Sequence, residues 1–282
     1  MQLGFSFDTT TGKNLELWRN AVLKQDIDFC ALVDGGEGFG KSVFGMQVAC
    51  FLDIERSIDI ETQICYTPEQ FKNAVMTLKP GKSIVWDEAR RGVNRRRHSD
   101  NVNLEITDLL AECRQHNLFL VVIMPSFYDM DMNVAVWRSR VLFHVYNDWD
   151  VSDRETPLRR GFFRFYNEEG KKQLYTNKLH RQSYRYPLIK GNSFDAKFPH
   201  HYVVDEAEYR KRKRASEEFY RGQQKKAAGV PQVIIALKEA QLFPKGAIDV
   251  VAKAMGVSSR TVSRWCQTDA GGITTIYPKG KV

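Results

Sequence analysis

ALVDGGEGFGKSVFGMQVAC, residues 31–50, joins an apolar run to a cluster of glycines, a Lys-Ser pair and a second apolar run. Within it, Gly35-Gly36-Glu37-Gly38-Phe39-Gly40-Lys41-Ser42 fits the pattern GxxxxGK[ST]. The residue types suit one task. Glycines let a backbone wrap phosphates with its N–H groups turned inward, and the helix that follows offers its positive end to the same anion. Lys41 would reach the β- and γ-phosphates, and the Ser42 hydroxyl would ligate Mg²⁺. Chance gives such a match in roughly one chain in a hundred at this length and ordinary glycine content. The context is also right: residues 27–33 (IDFCALV) read as a buried strand and 41–52 as an apolar helix. Residues 35–42 with Val43 are therefore the candidate nucleotide cradle, with ATP and Mg²⁺ as its ligands.

Such a site needs an acid at the end of a neighbouring buried strand. Ile84-Val85-Trp86-Asp87-Glu88 supplies it, about 45 residues downstream. Asp87 would hold Mg²⁺ through water, and Glu88 would orient and polarise the attacking water. Apolar runs ending in Asp-Glu are common, and it is the pairing with the glycine loop that gives this one meaning. A small-molecule kinase must exclude water and has little use for such a glutamate.

The rest of the chain alternates. Residues 14–24 have helical apolar spacing, 64–66 read as a short strand, and Thr67-Pro68-Glu69-Gln70 is a helix start that runs to about Leu78. A helix over 104–117 leads to strands at 118–124 and 141–147. Strands alternating with helices imply a mostly parallel sheet covered on both faces. GFFRFYNEEGKKQLYTNK reads as a hairpin turning at Asn167–Gly170, an antiparallel extension of that sheet. Residues 205–229 are charged and helical in pattern; the commonest meaning of such a run is a solvated face, with a nucleic-acid or partner contact as the sharper reading. The expected division is an ATPase domain over 1–204, a linker over 205–229 and a small all-α domain over 230–282.

In the last of these, AIDVVAKAMGVSSRTVSRWCQ (247–267) has the layout of a helix-turn-helix. Ile248, Val251, Ala252 and Met255 give the first helix an apolar face, Gly256 permits the tight turn, and Ser258 caps the second helix. Ser259, Arg260, Ser263 and Arg264 would then meet DNA in a major groove. A small helical oligomerisation domain is the competing reading.

The chain has 282 residues, 43% of them hydrophobic, which excludes global disorder and allows a sizeable core. Its net charge of +8 favours polyanionic partners, though many basic proteins have none. The five cysteines are scattered with no CxxC spacing, so a zinc site is not expected, and reduced buried thiols fit a cytoplasmic location. No secretory signal or bilayer-length apolar run is visible. Scattered acids over 151–205 do not make the metal cluster a nuclease would need.

The chain resembles the additional-strand P-loop ATPases and, within them, the FtsK/HerA-type DNA pumps and their phage relatives. The resemblance rests on GGEGFGKS, on IVWDEA, and on ECRQHNLFLVVIMPSFYDMDMNVAVWRSRVLFHVY at 112–146. The zonular-occludens-toxin-like phage ATPases are similar over the same region. The resemblance implies a RecA-like core that hydrolyses ATP to translocate or package double-stranded DNA, that of a virus or a mobile element, as a homo-oligomeric ring of five or six subunits. A capsid portal or other docking protein would be a further partner. It also implies an arginine reaching the neighbour's site, for which Arg138 and Arg140 are the candidates, and a channel loop with Arg95, Arg96 and Arg97 touching DNA. One position departs from the family. Where it usually places a γ-phosphate-sensing Gln, this chain has Pro125, so either Ser126 takes the task or the branch is a distant one. An ATP-switched DNA-binding regulator and a phage export ATPase are the alternative functions.

Overall fold

The computed structural model describes residues 4–25, 27–87, 116–130, 132–149, 158–177, 194–219, 247–255 and 258–267. The chain divides into two compact units, Met1–Lys213 and Arg214–Val282.

The first unit is built on one seven-stranded sheet. Its strands are β1 (Phe29–Gly35), β2 (Ile64–Cys65), β3 (Ser83–Trp86), β4 (Phe119–Ile123), β5 (Val141–Trp149), β6 (Leu158–Tyr166) and β7 (Phe194–Lys197). Their order is β2-β3-β4-β1-β5-β6-β7. The first five are parallel, and β6 and β7 extend the sheet antiparallel. β4 lies between the strand that feeds the glycine loop and the strand that ends in Asp87, so both loops emerge at the C-terminal edge one strand apart. This mostly parallel order fits a RecA-like core.

The strands of the centre are apolar on both faces, as a covered parallel sheet requires. Cys30, Leu32, Ile84, Trp86, Leu120 and Val122 form one core with α3 (Pro68–Thr77) and α4 (Glu168–Asn177). Phe29, Ala31, Val33, Val85, Val121 and Phe143 form the other, beneath α1 (Thr9–Gln25) and α2 (Lys41–Leu52). α2 lies close to the sheet: a Cβ at Gly45 would stand 2.6 Å from Ile123 Cδ1. Burial pushes the thiols of Cys30 and Cys65 up to about 12 and that of Cys50 up to about 11, so these three are inert buried thiols.

Local chemistry sets the helix ends. Thr67 caps α3 by accepting from the Gln70 amide at 3.2 Å, and the Gln70 side chain accepts in return from the Thr67 amide, with Pro68 at the first turn. α1 starts earlier than its apolar pattern because the Asp8 carboxylate accepts from the amides of Thr10 and Thr11 at 2.9 and 3.0 Å. The hairpin expected at Asn167–Gly170 is absent. Asn167 instead caps α4, accepting from the Gly170 amide at 2.9 Å, while Glu168 and Glu169 sit in the first turn, where the helix dipole favours them. The strand that pairs with β6 on its far side is β7.

Residues 206–219 form a further helix, α5. Its residues 206–213 belong to the first unit and 214–219 to the second. The second unit contains α6 (Ala247–Met255) and α7 (Ser259–Gln267). Of the helix expected over 104–117, residues 104–115 lie outside the described residues and 116–117 form a turn. Among the described residues no helix is long and apolar enough to cross a membrane.

Candidate functional site

β1 delivers the chain to the loop and α2 takes it away. Gly35, Gly38 and Gly40 have φ of 141, 73 and 95°, values that L side chains rarely adopt. At Gly35 the requirement is doubled, since a Cβ would stand 2.0 Å from the Val145 carbonyl oxygen on β5. The Phe39 ring folds over Gly36, where a Cβ would lie 2.6 Å from its edge. Glu37 and Gly38 form the exposed tip, and Val43 is buried at the root of α2. Lys41 Nζ donates to the carbonyls of Gly35 and Gly36 at 2.8 and 2.7 Å, so its ammonium lies along the inside of the loop.

Ser42 and Asp87 meet because of strand parity. Ser83 and Val85 face α2, and Ser83 Oγ donates to the α2 carbonyl of Ala49 at 2.8 Å. Asp87, two residues further on, therefore points at the first turn of α2, where Ser42 Oγ donates to Asp87 Oδ2 at 3.0 Å. Asp87 is almost wholly buried. A hydroxyl and a carboxylate are the hard oxygen donors Mg²⁺ takes, with nucleotide phosphates and water completing its shell. Among the described residues no group of three or more His, Cys, Asp or Glu would hold a metal by itself.

Two residues that sequence reading passed over complete this cluster. Tyr209 on α5 donates its hydroxyl to Asp87, and Lys213, one turn on, donates to Asp87 Oδ2 at 3.0 Å and stands 3.4 Å from Ser42 Oγ. Burial and the neighbouring Asp87 charge push the Tyr209 phenol far above its ordinary value, so it acts as a donor. Tyr66, just after β2, lies beside Tyr209 with ring centroids 6.1 Å apart and the rings tilted by 44°. Burial, with Asp87 nearby, raises its phenol as well. The sequence clue was slight: one tyrosine in a run of charge, four residues before a lysine.

Beneath the loop, Asp34 is fully buried. Its carboxylate accepts from the Phe127 amide at 2.8 Å and from His144 Nδ1 at 2.9 Å, tying β1 to β5 and to the turn after β4. That turn holds Pro125 and Ser126. The Pro125 carbonyl accepts from the Gly35 amide, and Ser126 Oγ accepts from the Tyr128 amide at 3.2 Å, capping the short helix Phe127–Asp129. The Ser126 hydroxyl proton stays available to donate.

Arg138 and Arg140 lie at the other edge of the sheet. Arg138 pairs with Asp28, just before β1, at 3.0 Å, and the Arg140 guanidinium lies over Trp18 at 5.9 Å. The length of β1, about 20 Å at 3.3 Å per residue, separates them from the glycine loop of their own chain. Arg138 also ends a π-helical turn, Asn133–Arg138, whose last carbonyls are met by the buried ammonium of Lys171. Glu88, the acid expected to orient water, lies outside the described residues, as do Arg95, Arg96 and Arg97.

In the second unit Ser258 caps α7, its hydroxyl accepting from the Thr261 amide at 3.2 Å. Ala252 and Val262 are buried, and Ile248 and Val251 are half-buried. Arg260 is exposed and Ser263 half-buried. Ser259 is turned toward α6, donating to Asp249 at 2.5 Å, so its hydroxyl serves the helix pair and is a poorer candidate for a DNA contact. The side chain of Arg264 lies outside the described residues.

No protein-family model matches the chain, and no curated protein matches it. Several solved structures do. The genome packaging NTPase of Sulfolobus turreted icosahedral virus 2 in complex with ATP-gammaS is 13% identical, over 51% of this chain and 94% of that one, with a TM-score of 0.36. The DNA-packaging ATPase of Sulfolobus turreted icosahedral virus is 12% identical, over 52% and 94%, with a TM-score of 0.36. The N-terminal domain of zonular occludens toxin from Neisseria meningitidis is 13% identical, over 65% and 97%, with a TM-score of 0.35.

Proposed function

We propose that the chain hydrolyses ATP and uses the cycle to move double-stranded DNA. The observation that carries the hydrolase reading is the meeting of Ser42 and Asp87 at 3.0 Å beside a glycine loop that ends in Lys41. Lys41 steadies the β- and γ-phosphates, the loop amides hold their oxygens, and Ser42 and Asp87 hold Mg²⁺. A divalent cation held there would supply positive charge against the phosphates. Glu88 orients the attacking water. Hydrolysis yields ADP and inorganic phosphate, and the proton of that water leaves through Glu88 or the phosphate itself.

The DNA half of the reading is supported by the net charge of +8, by the arginines over 90–97 that follow Asp87 directly, and by the capped helix pair over 247–267 with exposed Arg260. The working form is a homo-oligomeric ring in which Arg138 or Arg140 enters the neighbouring site, and a viral genome is its cargo.

The test is ATP hydrolysis by the purified chain with and without double-stranded DNA, beside Glu88→Gln. Strong stimulation by DNA that vanishes in the variant is the expected result. Slow hydrolysis indifferent to DNA would make the chain an ATP-timed switch, and normal turnover in Glu88→Gln would remove that residue from the mechanism.

A further inference from the structure

The segment that reaches Asp87 from α5 is held in place by more than that contact. β7 ends at Lys197, and Phe198 then packs on Phe44 of α2 with ring centroids 4.8 Å apart. Gln47 Nε2 donates to the carbonyls of Pro199 and His201, both at 2.7 Å, which fastens the strap across α2. Asp205 caps α5 by accepting from the Glu208 amide at 2.7 Å. Arg212 pairs with Glu61 at 2.7 Å, anchoring the helix beside β2. The strap thus ends with Tyr209 and Lys213 directed at the site.

What they contact there is the pair of oxygens a metal would use. Lys213 Nζ lies between Asp87 Oδ2 and Ser42 Oγ, at 3.0 and 3.4 Å. Tyr209 donates to the same Oδ2. A divalent cation bound to these oxygens would lie within a few ångströms of the ammonium, and two like charges in a buried site repel strongly. The Lys213 side chain is about a quarter exposed while that of Asp87 is 2% exposed. The lysine therefore has solvent to swing into and the aspartate does not. The same helix turn continues the basic run Arg210-Lys211-Arg212-Lys213-Arg214, so movement of Lys213 also frees positive charge.

We propose that residues 206–213 are a latch on the metal–nucleotide site, with Lys213 serving as a tethered cation that Mg²⁺ and nucleotide must displace. The inference rests on the nucleotide-hydrolase reading of the same site. In the closed state Lys213 neutralises Asp87 and Tyr209 donates to the same carboxylate oxygen. In the open state Asp87 and Ser42 turn to the metal, and the first two turns of α5 lose their hold on the core. Nucleotide state is thereby read out by the helix that leads into the second unit.

The test uses the full-length chain, Mg²⁺ and the non-hydrolysable analogue AMPPCP. Hydrogen–deuterium exchange over residues 206–213 is expected to speed up by about tenfold on addition of both, while exchange over 35–42 slows. In calorimetric titrations at fixed AMPPCP, Lys213→Met is expected to bind Mg²⁺ about tenfold more tightly than the wild type, as it would if the closed latch holds nine molecules in ten. Tyr209→Phe, which keeps the ring packing, should shift the same way by less. Protection over 35–42 with unchanged or slower exchange over 206–213 would overturn the latch alone. Weaker Mg²⁺ binding by Lys213→Met would overturn it too and make Lys213 a phosphate contact. No protection over 35–42 in the wild type would overturn the nucleotide reading, and the latch with it.

Discussion

Asp34 Oδ1 and His144 Nδ1 stand 2.9 Å apart across the β1–β5 ladder, in register with each other and one residue before the glycine loop begins. Facing a carboxylate, the imidazole carries its proton on Nδ1. The other oxygen of Asp34 takes the Phe127 amide. One buried side chain thus fixes three segments that border the site: the end of β1, β5, and the turn containing Pro125 and Ser126.

Asp34→Ala should therefore cost about 2–3 kcal/mol, because it strands a buried amide and an imidazole N–H together. Urea unfolding measures the loss. Hydrogen exchange should locate it at Phe127, whose amide loses its acceptor. A uniform loss of protection with Phe127 no worse than its neighbours would show that the turn is held by packing alone.

Lys41→Ala tests the loop without touching the core. Its ammonium donates to the loop carbonyls of Gly35 and Gly36. Hydrolysis should fall by about 10²–10³ or more, the usual cost of removing a preorganised charge from a phosphoryl-transfer site. The melting temperature should hold within a few degrees. Lost folding with lost activity would mean that the lysine is a structural strut.

The glycines of the loop predict a graded series. Gly35→Ala forces a Cβ to 2.0 Å from the Val145 carbonyl at φ 141°, so β1 and β5 must part. Gly38→Ala has φ 73° but no atom within 4 Å, leaving only the left-handed backbone cost of about 1–2 kcal/mol. Thermal denaturation should rank Gly35→Ala well below Gly38→Ala. Equal losses would mean that the β1–β5 contact is softer than its geometry.

The glycine loop, its acid and the strand alternation were legible in the sequence, because each rests on local pattern: glycine spacing, apolar runs, and Thr67 with Pro68 and Gln70. What was not legible depends on three-dimensional proximity. NEEG over 167–170 has turn composition, but Asn167 also makes a helix cap, and the competing cap won. Residues 206–213 read as solvated charge, since only the fold brings Tyr209 and Lys213 to Asp87. Lys171 sits in a Lys-Lys pair that looks exposed, yet it is fully buried.

Lys171 carries a pH prediction. Burial, ahead of the neighbouring charges of Arg140 and Lys172, lowers its ammonium from 10.5 to about 8. Between those values the unfolded chain holds the proton and the folded chain does not, so folding is penalised at neutral pH and the penalty disappears as pH rises from about 8 to 10.5. Its full size is of the order of 3 kcal/mol. The stability of the wild type relative to Lys171→Met should therefore rise across that window and be flat below it. Urea midpoints of the two proteins at pH 7, 8.5 and 10 decide the matter, and parallel curves would mean that the carbonyls of Ala135, Val136 and Ser139 hold the ammonium charged throughout.

The two arginines at the far edge of the sheet bear on assembly. Their distance from the loop of their own chain, about 20 Å along β1, rules out action in cis. Arg138 is bound to Asp28 by an ion pair at 3.0 Å, whereas Arg140 rests on the Trp18 ring at 5.9 Å. In the proposed ring Arg140 would therefore have less to give up on entering a neighbouring site. Neither Arg140→Ala nor Lys41→Ala should hydrolyse ATP alone. Mixed, they should recover activity, because a Lys41→Ala subunit still lends its arginine to an intact glycine loop next door. The same mixture with Arg138→Ala in place of Arg140→Ala separates the two residues. Activity in unmixed Arg140→Ala with recovery only in the Arg138→Ala mixture would assign the role to Arg138, and recovery in neither would mean that the sites work without a neighbour's arginine.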